Sequence, residues 1–322
     1  SSAASDVYKR QKGHGAPIDE ALNPYDGMRS GYKTGGFARV AWLAPGGASW
    51  APTVTPAPTV SEWLRFSADI DGAAPGSWAG FDVSLSADGT VVAVGSPKFE
   101  NEFGNAAGQV RVFTLVGGVE WVQRGAALEG AAAVALFGWS VSLSADGDVV
   151  ACGAPWSAGD GRDSVEAGRA AVYEWTGSRW EQRGANINGE AASDYSGYSL
   201  SLSPDGNALA VGAPWQDYEV GCEGADCDAG SVRVFAWDGE RWSQRGARIE
   251  GEAPHDWSGY STALSSDGHI LAIGSPRNDG TGDRAGHARV FAWDADSQKW
   301  TQRGDDIDGE AAGDESGGSV SL

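Results

Sequence analysis

The chain repeats one short stretch, and this repetition limits the possible folds more than any other feature. The stretch first occurs at residues 80–97 as GFDVSLSADGTVVAVGSP. Its central turn returns as SLSADG at 142–147, SLSPDG at 201–206 and ALSSDG at 263–268, each followed by an apolar run that ends VACGAP, LAVGAP or LAIGSP. The aspartates of the four turns are spaced by 58, 59 and 62 residues. A chain with this period is expected to fold as an array of similar units.

Both ends of the sequence interrupt the repeat pattern. A fifth copy begins GGSVSL at residues 317–322 and stops there, residue 1 is serine, and Met28 is the single methionine. We therefore expect the chain to be a fragment of a longer protein. Residues 1–34 match no repeat and show no periodicity, which predicts a flexible or non-native leader.

Composition disfavours several classes of function. The 322 residues include 44 acidic and 23 basic side chains, which gives a net charge of −21. This charge repels phosphate backbones, so nucleic acid is not an expected partner. No apolar run reaches the roughly 20 residues that a membrane-spanning helix needs. The 48 glycines and 15 tryptophans favour an all-β repeat protein with tight turns.

Each repeat begins with two strand signals joined by a turn. The first strand, as in residues 83–86, alternates apolar residues with serine, which is typical of a strand with two different faces. The second, as in residues 91–94, is apolar throughout and should be buried on both faces. Between them, A-D-G or a near variant predicts a three-residue hairpin with a left-handed glycine. These glycines are Gly89, Gly147, Gly206 and Gly268.

A second pair of strands completes each repeat. The third strand reads QVRVF, AAVYEW, SVRVFAW or HARVFAW, and the fourth opens on tryptophan as WVQRG, WEQRG, WSQRG or WTQRG. FARVAW at residues 37–42 matches the third strand ahead of the first full repeat. Four antiparallel strands in about 60 residues predict a blade of an all-β propeller. The expected organisation is a partial blade at 35–72, complete blades at 73–130, 131–189, 190–251 and 252–309, and a partial blade at 310–322.

The repeats resemble the FG-GAP repeats of integrin α-subunit propellers over about residues 36–322. The shared features are an aromatic residue beside glycine before the first strand, a D-G turn, an apolar strand closing on G-A-P or G-S-P, and a following G-x-V-x-V-aromatic run. Phe137-Gly138 is the literal motif. The resemblance implies a ring of six to eight blades, with seven favoured, in which the N-terminal strand pair completes the last blade.

The turns depart from this family in their acidic residues. Many FG-GAP blades hold calcium in a D-x-D-x-D-G loop, whereas these turns carry a single aspartate. Calcium takes six to eight oxygen ligands, so we expect no calcium in the turns and no other cofactor. Calcium in the acidic long loops is left open as an alternative. The candidate ligands are Asp160, Asp163 and Glu166 in one loop and Asp217, Glu219 and Glu223 in another.

The long loops between the second and third strands hold most of the variation between repeats. Antiparallel alternation places these loops and the linkers between blades on one face, opposite the D-G turns. Variable loops on a rigid scaffold are a usual place for binding. The candidate ligand-binding residues are Trp156, Trp215, Tyr218, Asp160, Asp163 and Asp217. The alternative is that Trp156 and Trp215 cap neighbouring blades.

The cysteines indicate one disulfide and one core thiol. Cys222 and Cys227 lie five residues apart in the loop GCEGADC, where a small ring would pin the loop. Such a bond points to an oxidising, extracellular or cell-surface setting. Cys152 replaces the valine or isoleucine of other second strands, so we expect it to be buried.

Other conspicuous residues recur in register, which favours structural roles. Asp194, Asp256 and Asp314 in the linkers are expected to form turns, and Tyr195 and Trp257 to fill space between blades. The recurring arginines are expected to pair with linker acids or to stack on rings. They are Arg124, Arg183, Arg245 and Arg303. No zinc site is predicted from the histidines, which occupy unrelated repeat positions: His14, His255, His269 and His287.

The sequence shows no nucleophile motif, phosphate loop or cofactor motif. We therefore expect a non-catalytic recognition module that binds a protein or glycan through its loop face, as in cell adhesion. One alternative is a hydrolase or lyase with an acidic site at the mouth of the central channel, which would show paired carboxylates with displaced pKa values. A purely structural repeat domain is the other.

Overall fold

The structure, a computed structural model, describes residues 67–158, 166–217 and 227–322 and the backbone of residues 37–38. All regular structure in this part of the chain is β-strand. No helix there has the length and hydropathy to cross a bilayer. The predicted leader at residues 1–34 lies outside the described residues.

Four similar sheets account for most of the strands, one sheet per repeat. The first contains β3 (Val83–Leu85), β4 (Val91–Ser96), β5 (Gln109–Val116), β6 (Glu120–Gln123) and β7 (Leu128–Glu129). The second contains β8 (Val141–Leu143), β9 (Val149–Ala154), β10 (Arg169–Trp175), β11 (Trp180–Gln182) and β12 (Ile187–Asn188). The third contains β13 (Ser199–Leu202), β14 (Ala208–Ala213), β15 (Ser231–Trp237), β16 (Trp242–Gln244) and β17 (Ile249–Glu250). The fourth contains β18 (Ser261–Leu264), β19 (Ile270–Ser275), β20 (His287–Asp294), β21 (Lys299–Gln302) and β22 (Ile307–Asp308).

The first strands of successive sheets pack side by side through a ladder of serines. The hydroxyl of Ser84 on β3 accepts a hydrogen bond from the backbone N–H of Leu143 on β8 at 2.9 Å. The same bond joins Ser142 to Leu202 and Ser201 to Leu264. Each sheet is antiparallel and runs outward from this inner strand, which is the architecture of a propeller blade. The all-β propeller prediction is therefore confirmed.

The second strands are buried on both faces, as predicted. Every residue of β4, β9 and β14 is buried. Val92 and Val94 enter one apolar cluster, whereas Val91 and Ala93 enter another that includes Cys152 of the next blade. Cys152 is fully buried, as predicted, and this burial raises the pKa of its thiol. The apolar cores thus lie between blades, and each second strand contributes to two of them.

The D-G turns are longer than the sequence predicts. Gly89 is left-handed, with φ of 71°, as predicted. The strands, however, end at Leu85 and resume at Val91, so five residues separate them instead of three. Asp88 closes the turn because its Oδ1 accepts hydrogen bonds from the Ser86 hydroxyl at 2.7 Å and from the backbone N–H of residue 90 at 2.9 Å. The same acceptor role recurs at Asp146, Asp205 and Asp267.

The fourth strand of each blade is broken in two, which the sequence does not predict. In the first blade, β6 ends at Gln123 and β7 starts at Leu128, and both pair with β5. Gly125 lies in the break with φ of 78°, a value that an extended strand does not adopt. Left-handed glycines break the other fourth strands at the same place: Gly184, Gly246 and Gly304.

Glycine is required at one close contact between adjoining blades. A Cβ atom at Gly153, near the end of β9, would lie 2.1 Å from the carbonyl oxygen of Gly197 and 2.2 Å from the hydroxyl of Ser140. The Ser140 hydroxyl itself donates to Gly197 O at 2.8 Å. Because no side chain fits at this contact, the glycine of G-A-P or G-S-P is a packing requirement. Gly95, Gly212 and Gly274 occupy the same position.

The recurring arginines join each blade to the next. The guanidinium of Arg183 lies 4.9 Å from the ring centroid of Trp237 and 5.9 Å from that of Trp242. It donates to the carbonyl oxygen of Gly206 at 3.2 Å and to the side chain of Asn207 at 2.7 Å. Trp242 Nε1 in turn donates to the Arg183 carbonyl at 2.8 Å. Arg124 and Arg245 make the corresponding contacts.

Ring stacking, one of the two alternatives predicted for these arginines, is therefore confirmed for Arg124, Arg183 and Arg245, whereas Arg303 is exposed. The linker acids lie beside a second set of arginines on the third strands. Arg233 Nη1 is 3.8 Å from Glu190, and Arg289 Nη1 is 3.4 Å from Glu252. The repeating arginines instead meet the D-G turn of the next blade, which lies at the opposite end from the linkers.

The incomplete repeats behave differently at the two ends of the chain. β1 (Phe37–Ala38) pairs antiparallel with β2 (Ile70–Asp71). This is the pairing predicted for a third strand and its fourth-strand partner. Residues 317–322, the start of the fifth copy in the predicted partial blade at 310–322, form no strand. The size of the complete ring stays a prediction.

Candidate ligand-binding face

Nine aromatic rings form a continuous band across the four blades. We call it the aromatic arc, and its members are Trp78, Phe81, Trp139, Trp156, Tyr195, Tyr198, Trp215, Trp257 and Tyr260. Neighbouring ring centroids are between 4.4 and 6.2 Å apart. These distances are those of attractive aromatic pairs. The arc therefore links all four blades through side chains alone.

Three positions of the repeat place these rings together. The linker position supplies Trp78, Tyr195 and Trp257. The residue after the linker glycine supplies Phe81, Trp139, Tyr198 and Tyr260. The residue after G-A-P supplies Trp156 and Trp215. The first strand of each blade is antiparallel to the second, so the start of the first strand and the end of the second lie at the same edge of the blade. All three positions therefore lie on the loop face, close to the innermost strands.

A cation covers each end of the arc. In the first and fourth blades, Lys98 and Arg277 stand where the middle blades have tryptophan. Lys98 Nζ lies 4.9 Å from the ring centroid of Trp78, and the Arg277 guanidinium lies 3.5 Å from that of Trp257. Both are cation–π contacts. The arc is thus apolar in its middle and positively charged at its two ends.

The linker aromatics have an unusual backbone conformation. Trp78, Tyr195 and Trp257 have φ of 58°, 51° and 56°, a region that bulky residues rarely adopt. Leu136 and Glu315 at the same repeat position are also left-handed, so the conformation belongs to the repeat. Backbone hydrogen bonds from Tyr195 to residue 166 and from Trp257 to residue 228 hold it. The strained linker fixes the direction in which each ring leaves the chain.

The linker aspartates form turns, as predicted. Asp194 is buried, and its Oδ2 accepts hydrogen bonds from the backbone N–H groups of residues 190 and 191 at 2.9 and 2.8 Å. Asp256 accepts the corresponding pair. Asp314 accepts from residue 311 at 2.9 Å. Burial raises the pKa of Asp194, and the two backbone donors oppose that shift.

Trp156 and Trp215, the predicted binding anchors, both bridge adjacent blades. Trp156 lies 4.8 Å from Trp139 in its own blade and 5.2 Å from Tyr195 in the next. Trp215 lies 5.1 Å from Tyr195 and 5.0 Å from Trp257. The expectation that they cap neighbouring blades is therefore confirmed. Both rings remain half-buried, so part of each reaches solvent, and ligand binding by them stays a prediction.

The other predicted site residues are less accessible or lie outside the described part. Asp217 is exposed, but its Oδ1 accepts hydrogen bonds from the backbone N–H groups of Cys227 at 2.7 Å and of residue 228 at 3.3 Å. It thereby closes the base of its loop. Glu166 accepts a hydrogen bond from the Tyr195 hydroxyl at 2.6 Å. The roles proposed for Asp160, Asp163 and Tyr218, and the Cys222–Cys227 disulfide, stay predictions because Asp160, Asp163, Tyr218 and Cys222 lie outside the described residues.

Sequence reasoning does not identify the arc as one surface. It assigns Tyr195 and Trp257 to space filling and leaves Phe81 unassigned. Phe81 is 43% exposed, whereas Trp139 is 6% exposed. The available signal was an aromatic residue at a fixed offset from the linker glycine in every complete repeat. Only the blade geometry shows that this position and the one after G-A-P converge.

Asp82 is the acidic group that bears on the enzyme alternative. It stands where other blades have serine, at the start of the innermost strand. Its Oδ1 and Oδ2 accept backbone hydrogen bonds from Val83 at 3.0 Å and Val141 at 2.7 Å. Burial raises the pKa of Asp82 to about 6, and the two donors oppose this. No second described carboxylate contributes to the shift, so the paired acids that a hydrolase would show are not found at Asp82.

Asp82 should make the protein less stable as pH rises through about 6. Its pKa is raised from 3.8, so the folded state binds the proton more tightly than the unfolded state. The stabilisation is complete below pH 3.8 and is lost above pH 6, and it amounts to about 3 kcal/mol. Urea unfolding of wild type and Asp82→Asn between pH 4 and 8 measures it. As pH rises, the free energy of unfolding of wild type should fall relative to that of Asp82→Asn. A difference between the two proteins that does not change with pH would contradict the assignment.

Two open cavities of about 220 Å³ each lie between blades at the outer rim. Arg111 and Trp121 line one, and Arg233 and Trp242 line the other. Neither cavity includes a ring of the arc.

Comparison with known proteins identifies no family for this chain and gives a partial structural similarity. No family model matches the sequence, and no curated protein is significantly similar to it. One similar solved structure is a Bacteroides fragilis NCTC 9343 protein classed provisionally as a 6-phosphogluconolactonase. The TM-score is 0.46 at 14% identity, over 70% of this chain and 54% of the other. The match thus spans about half the length of that protein, and the propeller assignment rests on the blades described above.

Proposed function

We propose that this chain is a non-catalytic recognition module of FG-GAP type, which binds a protein or glycan ligand through the loop face of its propeller. The observation that supports the proposal is the aromatic arc. It crosses four blades on the loop face and has a cation at each end. A surface that extends across four blades suits an extended ligand better than a small molecule enclosed in a pocket.

The composition of the arc suits recognition. Tryptophan, tyrosine and arginine supply a large share of the binding energy in protein interfaces. Their rings present large apolar areas and lose little conformational entropy on binding, because neighbouring rings already hold them in place. An extracellular or cell-surface setting, as in adhesion, agrees with the predicted disulfide and with the resemblance to integrin propellers.

Substitutions in the arc test the proposal. The folded chain is first applied to arrays of extracellular matrix proteins and glycans, which separate the two ligand classes. Trp215→Ala should then weaken retention of any bound ligand by about 30-fold, the effect of removing one interface hot spot. Phe81→Ala should also weaken it, with a smaller loss of stability, because Phe81 is the most exposed ring of the arc.

Trp293→Ala is the matched control. Trp293 is a half-buried tryptophan of the rim, 5.4 Å from Trp300, so its loss weakens packing without touching the arc. Ligand retention by this variant should equal that of wild type at temperatures where both are folded. Absence of any retained ligand, or equal losses in all three variants, would refute the proposal and leave a purely structural role.

A further inference from the structure

A buried histidine in the fourth blade lies among carboxylates. His287 opens β20 and is 1% exposed. Within the part of the chain that the structure describes, neither of its ring nitrogens has a hydrogen-bond partner. Its Nδ1 lies 3.6 Å from Asp306 Oδ2 and 4.0 Å from Asp308 Oδ1. Buried polar nitrogens are rarely left without a partner, so this position needs an explanation.

Glu252 completes the group from the linker between the third and fourth blades. One ligand atom each from Glu252, His287 and Asp306 lies within 4.8 Å of the other two. The three carboxylates around His287 face one nearby guanidinium, Arg289, which is 3.4 Å from Glu252. The cluster therefore carries an excess of negative charge that a bound cation would balance.

We propose that Glu252, His287 and Asp306 bind one divalent transition-metal ion, with Zn²⁺ as the best chemical match. One imidazole nitrogen with carboxylate oxygens is a ligand set typical of zinc, and calcium takes oxygen ligands alone. The neighbouring residues orient the ligands. Gln302 donates to Asp306 Oδ1 at 2.6 Å, which leaves Oδ2 directed at the imidazole.

The ligand set is specific to this blade. The position of His287 is Gln109 in the first blade and Ser231 in the third, and the position of Asp306 is Asn186 in the second. A repeat scaffold thus tolerates uncharged residues at both positions. Because Glu252 comes from the linker and the other two ligands from the fourth blade, the ion would pin that linker to the blade.

Zinc titration of the full chain tests the site. Calorimetry should show one saturable Zn²⁺ site, with calcium weaker, and zinc should raise the thermal midpoint. His287→Gln and Asp306→Asn, which install residues that other blades already carry, should each weaken binding at least about 10-fold. In the Co²⁺-loaded protein, the visible ligand-field absorption should disappear with His287→Gln.

His269→Gln is the matched control, because His269 is exposed in a D-G turn and should not affect zinc binding. If His287→Gln fails to fold, zinc titration of Asp306→Asn and Glu252→Gln tests the site instead, because both residues are more accessible to solvent than His287. The proposal is overturned by the absence of saturable zinc binding, by preferential calcium binding, or by zinc affinity that the ligand variants leave unchanged.

Discussion

Gly153→Ala should prevent folding or lower the free energy of unfolding by more than about 4 kcal/mol, a loss that only severe core disruptions reach. The added methyl carbon would lie 2.1 Å from Gly197 O and 2.2 Å from the Ser140 hydroxyl. Gly197 belongs to the third blade and Ser140 to the second, so the methyl group would be trapped between the two blades. Relief requires these blades to separate, which exposes the apolar cluster between them.

Gly239→Ala provides the comparison for this effect. Gly239 has φ of 102°, and no atom lies within 4 Å of the position that a Cβ would take, so alanine there meets backbone strain without a clash. Its expected loss is about 1–2 kcal/mol, the cost of a left-handed backbone for a residue with a Cβ. Chemical denaturation of the two variants measures the difference. Equal losses would show that the blades can move apart at this contact and would contradict the packing argument.

Arg183→Ala should destabilise the protein by about 3 kcal/mol, the second largest effect that we expect. The side chain is 9% exposed and stacks on two tryptophans of the next blade. A desolvated cation–π contact contributes up to about 2 kcal/mol, and hydrogen bonds to a charged group contribute about 1.5–3 kcal/mol each in favourable cases. Denaturant unfolding followed by tryptophan fluorescence measures the loss.

Arg303→Ala tests whether the effect comes from contact with the next blade. Arg303 occupies the same repeat position but is exposed, so its removal should change stability by less than about 0.5 kcal/mol. Arg183→Lys should fall between the two, because lysine keeps the charge and loses the planar stacking surface. Similar losses for Arg183→Ala and Arg303→Ala would refute the role assigned to the rings.

The period of the sequence predicts the blades because local pattern and global packing agree in each repeat. A serine-alternating strand, an apolar strand and a left-handed turn glycine suffice to place Ser84, Val92 and Gly89 correctly. The break in the fourth strand after Gln123 is not predicted by such reasoning, because the sequence Q-R-G is equally compatible with a continuous strand. Only the tryptophans of the next blade show why the chain turns there.

The candidate site is less predictable than the fold because it is built from residues far apart in sequence. Trp156 meets Tyr195 from the next linker, and His287 meets Glu252 from the preceding one. Sequence reasoning compares the histidines only with one another, and it therefore misses a metal site that combines one histidine with carboxylates. Residues that converge across a blade boundary become neighbours only once the register of both blades is known.

The location of the apolar cores between blades determines what the smallest stable unit of this protein is. A single blade has two apolar faces and no core of its own, so it cannot be a folding domain by itself. The smallest cooperative unit is the boundary between two blades. There, apolar side chains of both blades pack together, a serine hydroxyl accepts a backbone hydrogen bond, and an arginine stacks on the tryptophans of the next blade. Duplication of one repeat adds one such boundary with unchanged chemistry. The stability of this protein is therefore expected to depend on the number of intact boundaries between blades.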